Sequence, residues 1–496
     1  MTVVPGVTKG GYQVDIRLEN IGIIKAATIQ ADGLTVITGK NNSGKTTVGK
    51  VAYSIVKANC NVQESFDSSK ETYLNTQLDK LRKILLPANS SFSSRTLLPG
   101  MSETDNNEES LIKLLNRHYH FNLFQENYQL LNHIHHCLDS LKADDILVFL
   151  KNNHDTDGLH PIQINRYKEQ FEEIKESAKE LCKLTTGVLE NKDSYRLYLH
   201  QRTKDFLNYY FHKQVKPVRN QDSISTIEIT QKGHKCIDIR IMAGNEYYFD
   251  MESSFVFPAE QAVFLDDPFI LDRIDNDGLK MITKPFDSFN AKDDFIHPTD
   301  LQPDEEEMMN MLLSKRSSNF FDEMELQKKY SAIFEKINEI VPGEFLSTNE
   351  GLFYSDEHVK LNIHNLATGS KLYFVIKQLL LNGYLDHTLL VLDEPESHLH
   401  PEWIQKFAEI IVLLVKELQV KIILTTHSPD LLLALNVFSK DYQIYNRSHF
   451  YLAKTINGSW ETTIDCIDND INEGYAHLSV PLLKMSIRNQ HQMKEQ

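Results

Sequence analysis

Eight consecutive residues, Gly39-Lys40-Asn41-Asn42-Ser43-Gly44-Lys45-Thr46, satisfy the pattern G-x-x-x-x-G-K-[ST] without a mismatch. Such a loop binds a polyphosphate: Gly39 and Gly44 permit a tight turn, and the backbone N–H groups of Asn41, Asn42 and Ser43 and of the following helix start, Thr47 included, point inward at negative charge. Lys45 is expected to reach the β- and γ-phosphates of ATP, and Thr46 to ligate Mg²⁺. A second constellation follows 350 residues later, where the apolar run Leu389 to Leu392 ends in Asp393 and Glu394. Asp393 is expected to hold Mg²⁺ through water. Glu394 would orient and deprotonate the water that attacks the γ-phosphate. The next apolar run, Val420 to Leu424, ends in Thr425, Thr426 and His427, and a histidine there can contact the γ-phosphate and sense its hydrolysis.

These groups need elements that bring them together. Leu34 to Thr38 reads as a buried strand delivering the loop, and Val48, Val51, Ala52, Ile55 and Val56 recur at helical spacing after it, one face for a sheet. Tyr12 to Asn20 and Ile23 to Gln30 read as an earlier strand pair. Between the two acidic and histidine-bearing strands, a helix begins at Pro401 and buries Trp403, Phe407, Ile410, Ile411, Leu414 and Leu418, which makes those strands parallel neighbours. Strand-like alternation also runs from Ile224 to Phe249 and from Phe255 to Ile270, and Pro303 with the acids after it marks a helix start.

Near Cys60 the pattern changes. Ala88 to Ser94 and Glu103 to Ser110 read as surface linkers, and Leu111 to Leu141 and Ile164 to Tyr210 as helices, with Tyr167, Phe171, Ile174, Ala178 and Leu181 spaced like a short coiled-coil seam. The expected organisation is therefore an α/β nucleotide-binding head in two pieces, residues 1–60 and 221–496, with an inserted helical arm, residues 61–220. His133, His135, His136 and Cys137 lie too close together on a helix to converge on one metal. Lys213, Lys216 and Arg219 around Pro217 read as a solvated linker.

The chain has 496 residues, a net charge of −17, 41% apolar and 24% charged residues. That balance argues against a surface that attracts nucleic acid over its whole area, while leaving room for a local basic patch. The five cysteines, at 60, 137, 182, 236 and 466, form no C-x-x-C pair, as expected in a reducing, cytoplasmic compartment. Neither a signal peptide nor a run long enough to span a membrane is legible, so no membrane partner is expected.

Taken in order, GKNNSGKTT, LLVLDEPESHLHP and LTTHSP resemble an ABC-type P-loop ATPase head of the SMC/Rad50 and OLD-like branch, a mixed sheet flanked by helices. Asn365 to Gly383, NLATGSKLYFVIKQLLLNG, resembles the ABC signature and its helix, with Ala367, Thr368 and Gly369 at the positions that meet the γ-phosphate across a dimer. Ala367 stands where the family usually has serine. This departure implies slow turnover more than lost binding, with Thr368 as a substitute donor. The coupling glutamine of the family falls on Gln261. Within the branch, the DEPE-x-HLHPEW stretch and the leucine-rich helix are most similar to PtuA, the ATPase subunit of Septu-type and retron-associated anti-phage defence.

That resemblance implies a homodimer or higher oligomer closed head to head around nucleotide, a separate HNH-type (PtuB-like) nuclease, and a retron reverse transcriptase with its DNA as a further partner. A second expectation is a Rad50- or RecF-like repair ATPase that clamps DNA. The ATP subunit of a transporter fits less well, because such subunits lack a helical insertion of this length. Some members of the branch continue into a Toprim nuclease; here Asp468-Asn469-Asp470 matches D-x-D, but the 70 or so residues after His427 are short for another α/β domain, and the triplet reads as a turn.

Overall fold

The computed structural model describes residues 13–85, 124–140, 161–252, 255, 257–266, 268–273, 304–314, 320–348, 351–456 and 459–494. The linkers expected at 88–94 and 103–110 lie outside them. The chain divides into two compact units, Met1–Asn61 with Leu199–Gln496, and Val62–Tyr198.

Among the described residues, the first unit is an α/β head built on an eleven-stranded mixed sheet. Strands β1 (Val14–Ile21), β2 (Ile24–Gln30), β3 (Leu34–Gly39), β4 (Ser225–Gln231), β5 (His234–Ile241), β6 (Tyr247–Met251), β7 (Gln261–Leu265), β11 (Thr388–Asp393), β12 (Lys421–Thr426), β13 (Ser448–Thr455) and β14 (Thr462–Cys466) lie in the order β6-β5-β4-β1-β2-β14-β13-β3-β12-β11-β7. A separate three-stranded sheet comprises β8 (Glu344–Thr348), β9 (Gly351–Ser355) and β10 (Lys360–Asn362).

The sequence pattern explains the division of the large sheet. From β13 through β3, β12 and β11 to β7 the strands run parallel, and β3 and β12 are apolar runs buried on both faces. In contrast, β1, β2, β4, β5 and β6 pair antiparallel, and β1 alternates buried and open positions. Side chains leave each parallel strand on alternate faces. Leu390 and Leu392 of β11 therefore join one core with helices α6 (Asp304–Leu313), α7 (Phe320–Lys329), α8 (Ser331–Asn338), α9 (Thr368–Leu381), α10 (Pro401–Glu417) and α11 (Pro429–Asp441), while Leu389 and Val391 join a second with α1 (Lys45–Asn59). On α1, Val48, Val51, Ala52, Ile55 and Val56 are all buried. A Cβ at Gly49 would come within 2.7 Å of Val391 Cγ1, so this glycine sets how closely α1 approaches the sheet.

The second unit contains α2 (Val62–Leu85), α3 (Phe124–Ser140) and α4 (Pro161–Leu189), packed around Leu74, Leu78, Leu81, Leu131, Ile134, Leu138, Ala178 and Cys182. Ala178 of the expected seam is buried, with Ile174 and Leu181 packed at its margin; the side chains of Tyr167 and Phe171 lie outside the described residues. On α3, His133 and His136 are exposed. Among the described residues no group of three or more histidine, cysteine or acidic side chains could hold a metal ion. None of the described helices is long and apolar enough to cross a membrane.

The arm is shorter than its expected end at residue 220. Helix α5 (Ser194–Tyr210) carries Phe206, Leu207 and Tyr210 into the head core, with Val215 after them, and Tyr210 meets Tyr53 edge to face at 4.9 Å. Apolar burial, not helical spacing, assigns 199–220 to the head rather than to the arm. Lys216 is not a solvated linker residue either: it is 2% exposed and its Nζ donates to the Met242 carbonyl at 2.9 Å.

At the lower end of the sheet, where β3 and β13 begin, His449 lies between two carboxylates. Its Nδ1 is 3.1 Å from Asp468 Oδ2 and its Nε2 is 3.1 Å from Asp32 Oδ1. Burial opposes the charge on His449, but the bonds to Asp32 and Asp468 outweigh it and bring the pKa up to about 9. Because this exceeds the value of about 6.5 in an unfolded chain, the ion pairs stabilise the fold fully below about pH 6.5, and that contribution is lost as pH rises through 9. We expect wild type to lose roughly 2–3 kcal/mol more than His449→Gln across that window. Parallel denaturation curves at pH 6.5 and 9 for both chains measure it, and equal losses would remove His449 from the account.

Candidate nucleotide-binding site

The phosphate-loop residues sit where β3 hands over to α1. Gly39 has φ 155°, Asn42 φ 59° and Gly44 φ 81°, so the backbone turns through conformations that glycine and asparagine tolerate best. A Cβ at Gly39 would stand 3.0 Å from the Ala453 carbonyl and from Ser43 Oγ. Asn41 and Asn42 are exposed, Gly44, Thr46 and Thr47 half-buried, and Ser43 buried, its hydroxyl without a hydrogen-bond partner.

Strand register brings the second constellation to the same edge. Asp393 pairs with Thr425 across β11 and β12, and Thr426 with Thr38 across β12 and β3, so all three strands end at one level. There Thr46 Oγ1 donates to Asp393 Oδ1 at 2.9 Å and Oδ2 at 2.8 Å, and Thr425 Oγ1 donates to Oδ1. Lys45 is 3% exposed; its Nζ donates to the Lys40 carbonyl at 2.9 Å and lies 3.2 Å from Glu394 Oε1. The other oxygen of Glu394, Oε2, is 3.2 Å from His427 Nδ1. Glu394 thus bridges the lysine of the loop and the histidine of the next strand. Its own backbone is left-handed, φ 47°, held there by its N–H to the carbonyl and hydroxyl of Thr425 at 3.1 Å each. A non-glycine residue bears strain in this region, and such strain gathers at functional sites.

These residues fit a nucleoside triphosphate with a divalent cation. An orphaned buried hydroxyl, a left-handed loop crowded at Gly39 and a recessed lysine form the concave cationic side, and the hydroxyl–carboxylate pair of Thr46 and Asp393 is a hard oxygen donor set.

Two other expected groups lie elsewhere. Gln261 opens β7, paired with Thr388 at the start of β11, so it is at the opposite end of the parallel strands from Asp393 and its Nε2 meets Met311 Sδ at 3.6 Å. A coupling role for Gln261 at the phosphates is corrected by that register: the end of β7 facing the site is Leu265. Ala367 is the exposed N-cap of α9, and among the described residues no hydrogen bond links Ala367, Thr368 or Gly369 to the phosphate loop of the same chain. Instead a Cβ at Gly369 would meet the His398 carbonyl at 3.0 Å and the Trp403 ring at 3.2 Å. Lys371, 3% exposed, anchors this helix start through Asp272 at 2.5 Å and the His364 carbonyl at 3.3 Å.

Asp468 and Asn469 form a turn, and Asp468 is engaged by His449 and the Phe450 N–H. Sequence reasoning missed the bridging part of Thr425, and missed Glu396 altogether. Glu396 is 4% exposed, and burial raises its carboxyl pKa. One acid in PESH carries no periodicity that would have singled it out.

A family profile described as "AAA domain, putative AbiEii toxin, Type IV TA system" matches residues 191–434, a span that includes Glu394 and His427 but not the phosphate loop. No curated protein matches the chain. Similar solved structures include the SMC head domain from Thermotoga maritima, 11% identical, covering 92% of this chain and 98% of that one with a TM-score of 0.35. The SmcHead bound to the C-winged helix domain of ScpA is 11% identical, with 93% and 99% coverage and a TM-score of 0.39. The Smc head domain with an extended coiled coil bound to the C-terminal domain of ScpA, from Pyrococcus furiosus, is 9% identical, with 97% and 99% coverage and a TM-score of 0.30.

Proposed function

We propose that the chain is an ABC-type ATPase, cytoplasmic, that binds ATP with Mg²⁺ and hydrolyses it slowly. The observation that carries this reading is the direct contact of Lys45, Glu394 and His427 beside the Thr46–Asp393 pair, from segments hundreds of residues apart. Backbone N–H groups from Gly39 to Thr47 would receive the phosphates, with Lys45 moving its charge from Glu394 to them. Thr46 and Asp393 would hold Mg²⁺, which when bound neutralises charge developing on the phosphate oxygens. Glu394, released from Lys45, would accept the proton of the attacking water while His427 keeps its carboxylate aimed. The exposed N-terminus of α9 at Ala367 leaves helix N–H groups for an anion, and a second copy of the chain would supply its phosphate, which supports a homodimer or higher oligomer.

The resemblance of the head motifs to PtuA extends the proposal: the chain serves a bacterial Septu- or retron-like anti-phage system, its nucleotide state restraining a separate HNH-type, PtuB-like nuclease, with a retron reverse transcriptase and its DNA as a further partner. The matched profile, whose description names a toxin–antitoxin system, is in keeping with a defence setting. The competing reading, a Rad50- or RecF-like DNA clamp, draws on the helical unit Val62–Tyr198.

The division of labour is testable. Incubated with plasmid, single strands and transfer RNA in Mg²⁺ or Mn²⁺, with and without ATP, the purified chain should leave all of them intact. Cleavage that co-elutes with it and disappears on changing Asp468 and Asp470 would make the chain itself a nuclease. Purification with the products of neighbouring genes separates the two biological readings: a retained nuclease supports defence, and ATP-dependent retention on closed DNA without one supports a clamp.

A further inference from the structure

The short 3₁₀ turn after Glu394, Pro395–His398, buries a carboxyl group that the chemistry above does not use. Glu396 is 4% exposed, and its Oε2 has no hydrogen-bond partner. Leaving a buried carboxyl oxygen bare is costly. Two bonds from the end of β12 converge on Oε1: Thr426 Oγ1 donates at 2.6 Å and the His427 N–H at 3.1 Å. His427 Nδ1 stands 3.6 Å from the same oxygen, beyond hydrogen-bond reach. Thr426 Oγ1 in turn accepts from the Ser428 N–H at 2.9 Å, and Ser428 caps α11 by accepting from the Leu431 N–H at 3.2 Å. One oxygen, two residues beyond Glu394, therefore fixes the backbone on which His427 stands.

From this geometry we infer that Glu396 is a positioning residue for ATP hydrolysis: its single accepting oxygen locks the Thr426–His427 turn to the Glu394 turn, and so sets the aim of the His427 ring at the Glu394 carboxylate. The contact it serves, His427 Nδ1 to Glu394 Oε2 at 3.2 Å, joins two side chains on different strands. With His427 41% exposed, little packing holds the ring from outside, and the backbone beneath it must supply the constraint. A displacement of about 1 Å at a reacting constellation is enough to cost on the order of 10²-fold in rate.

The inference rests on the reading of this site as an ATPase, and the two can fail separately. Glu396→Met keeps the volume but removes the acceptor; Glu396→Gln restores an acceptor without the carboxyl. In the full chain, Glu396→Met is expected to lower kcat about 10- to 100-fold, with ATP affinity by calorimetry and the thermal midpoint near wild type. Glu396→Gln should recover most of the rate. Since Glu396 acts through His427, adding Glu396→Met to His427→Ala should lower kcat no further, which a purely structural role would not predict. Should Glu396→Met fail to fold, Thr426→Val, alone and with His427→Ala, carries the same comparison. A wild-type chain without hydrolysis sinks the ATPase reading. Wild-type hydrolysis with kcat unchanged in Glu396→Met (or in Thr426→Val), or multiplicative losses in the double variants, overturns the positioning role.

Discussion

Lys45→Ala should weaken ATP binding by about 10²- to 10³-fold, the effect of removing one partner from a hydrogen-bonded charge contact at roughly 3–4 kcal/mol. Backbone N–H groups alone would leave most of the triphosphate charge uncompensated, because they carry only partial charges. The lysine is held close to the loop: its Nζ donates to the Lys40 carbonyl, so little side-chain entropy remains to be lost when it engages a ligand. The nucleotide-free variant should still fold, since among the described residues Lys45 is tied only to the Lys40 carbonyl and Glu394 and takes no part in the apolar cores. Calorimetric titration with ATP and Mg²⁺, beside a thermal scan without nucleotide, measures both. An unchanged Kd would remove the phosphate loop from the account of this chain.

Glu394→Gln separates binding from turnover. Thr46 and Asp393, the proposed Mg²⁺ ligands, are unchanged, and Lys45, freed from its 3.2 Å ion pair with Glu394, would have one competitor fewer for the phosphates. ATP affinity should therefore stay level or rise. Hydrolysis should fall by roughly 10²- to 10⁴-fold, as for loss of a positioned general base. Phosphate release under single-turnover conditions reads the rate without contribution from product release. Wild-type hydrolysis in this variant would require another base, with His427 and Asp393 the neighbouring candidates among the described residues.

The glycine-rich loop and the acid and histidine brought beside it were legible in the sequence because their backbone demands are written locally. Gly39, Asn42 and Gly44 stand where φ is positive, a requirement that only a few residue types meet, and Asp393 and His427 each end a segment whose apolar run reads as a buried strand. Apolar spacing likewise foretold α1 and α10 and the faces they bury. What the sequence could not decide were partners chosen by register. Whether Thr425 reaches Asp393, whether Glu396 meets the His427 N–H, and whether Gln261 lies at the end of β7 that faces Asp393 or at the far end all depend on how strands distant in sequence align, and a strand's own pattern is unchanged by sliding two residues. The end of the arm was hidden for a related reason: Phe206, Leu207 and Tyr210 have helical spacing in either unit, and only the packing of Tyr210 on Tyr53 and Phe264 assigns them to the head. Local backbone demands are encoded within a few residues, whereas contacts between segments are settled only when the cores on the two faces of the sheet close around them.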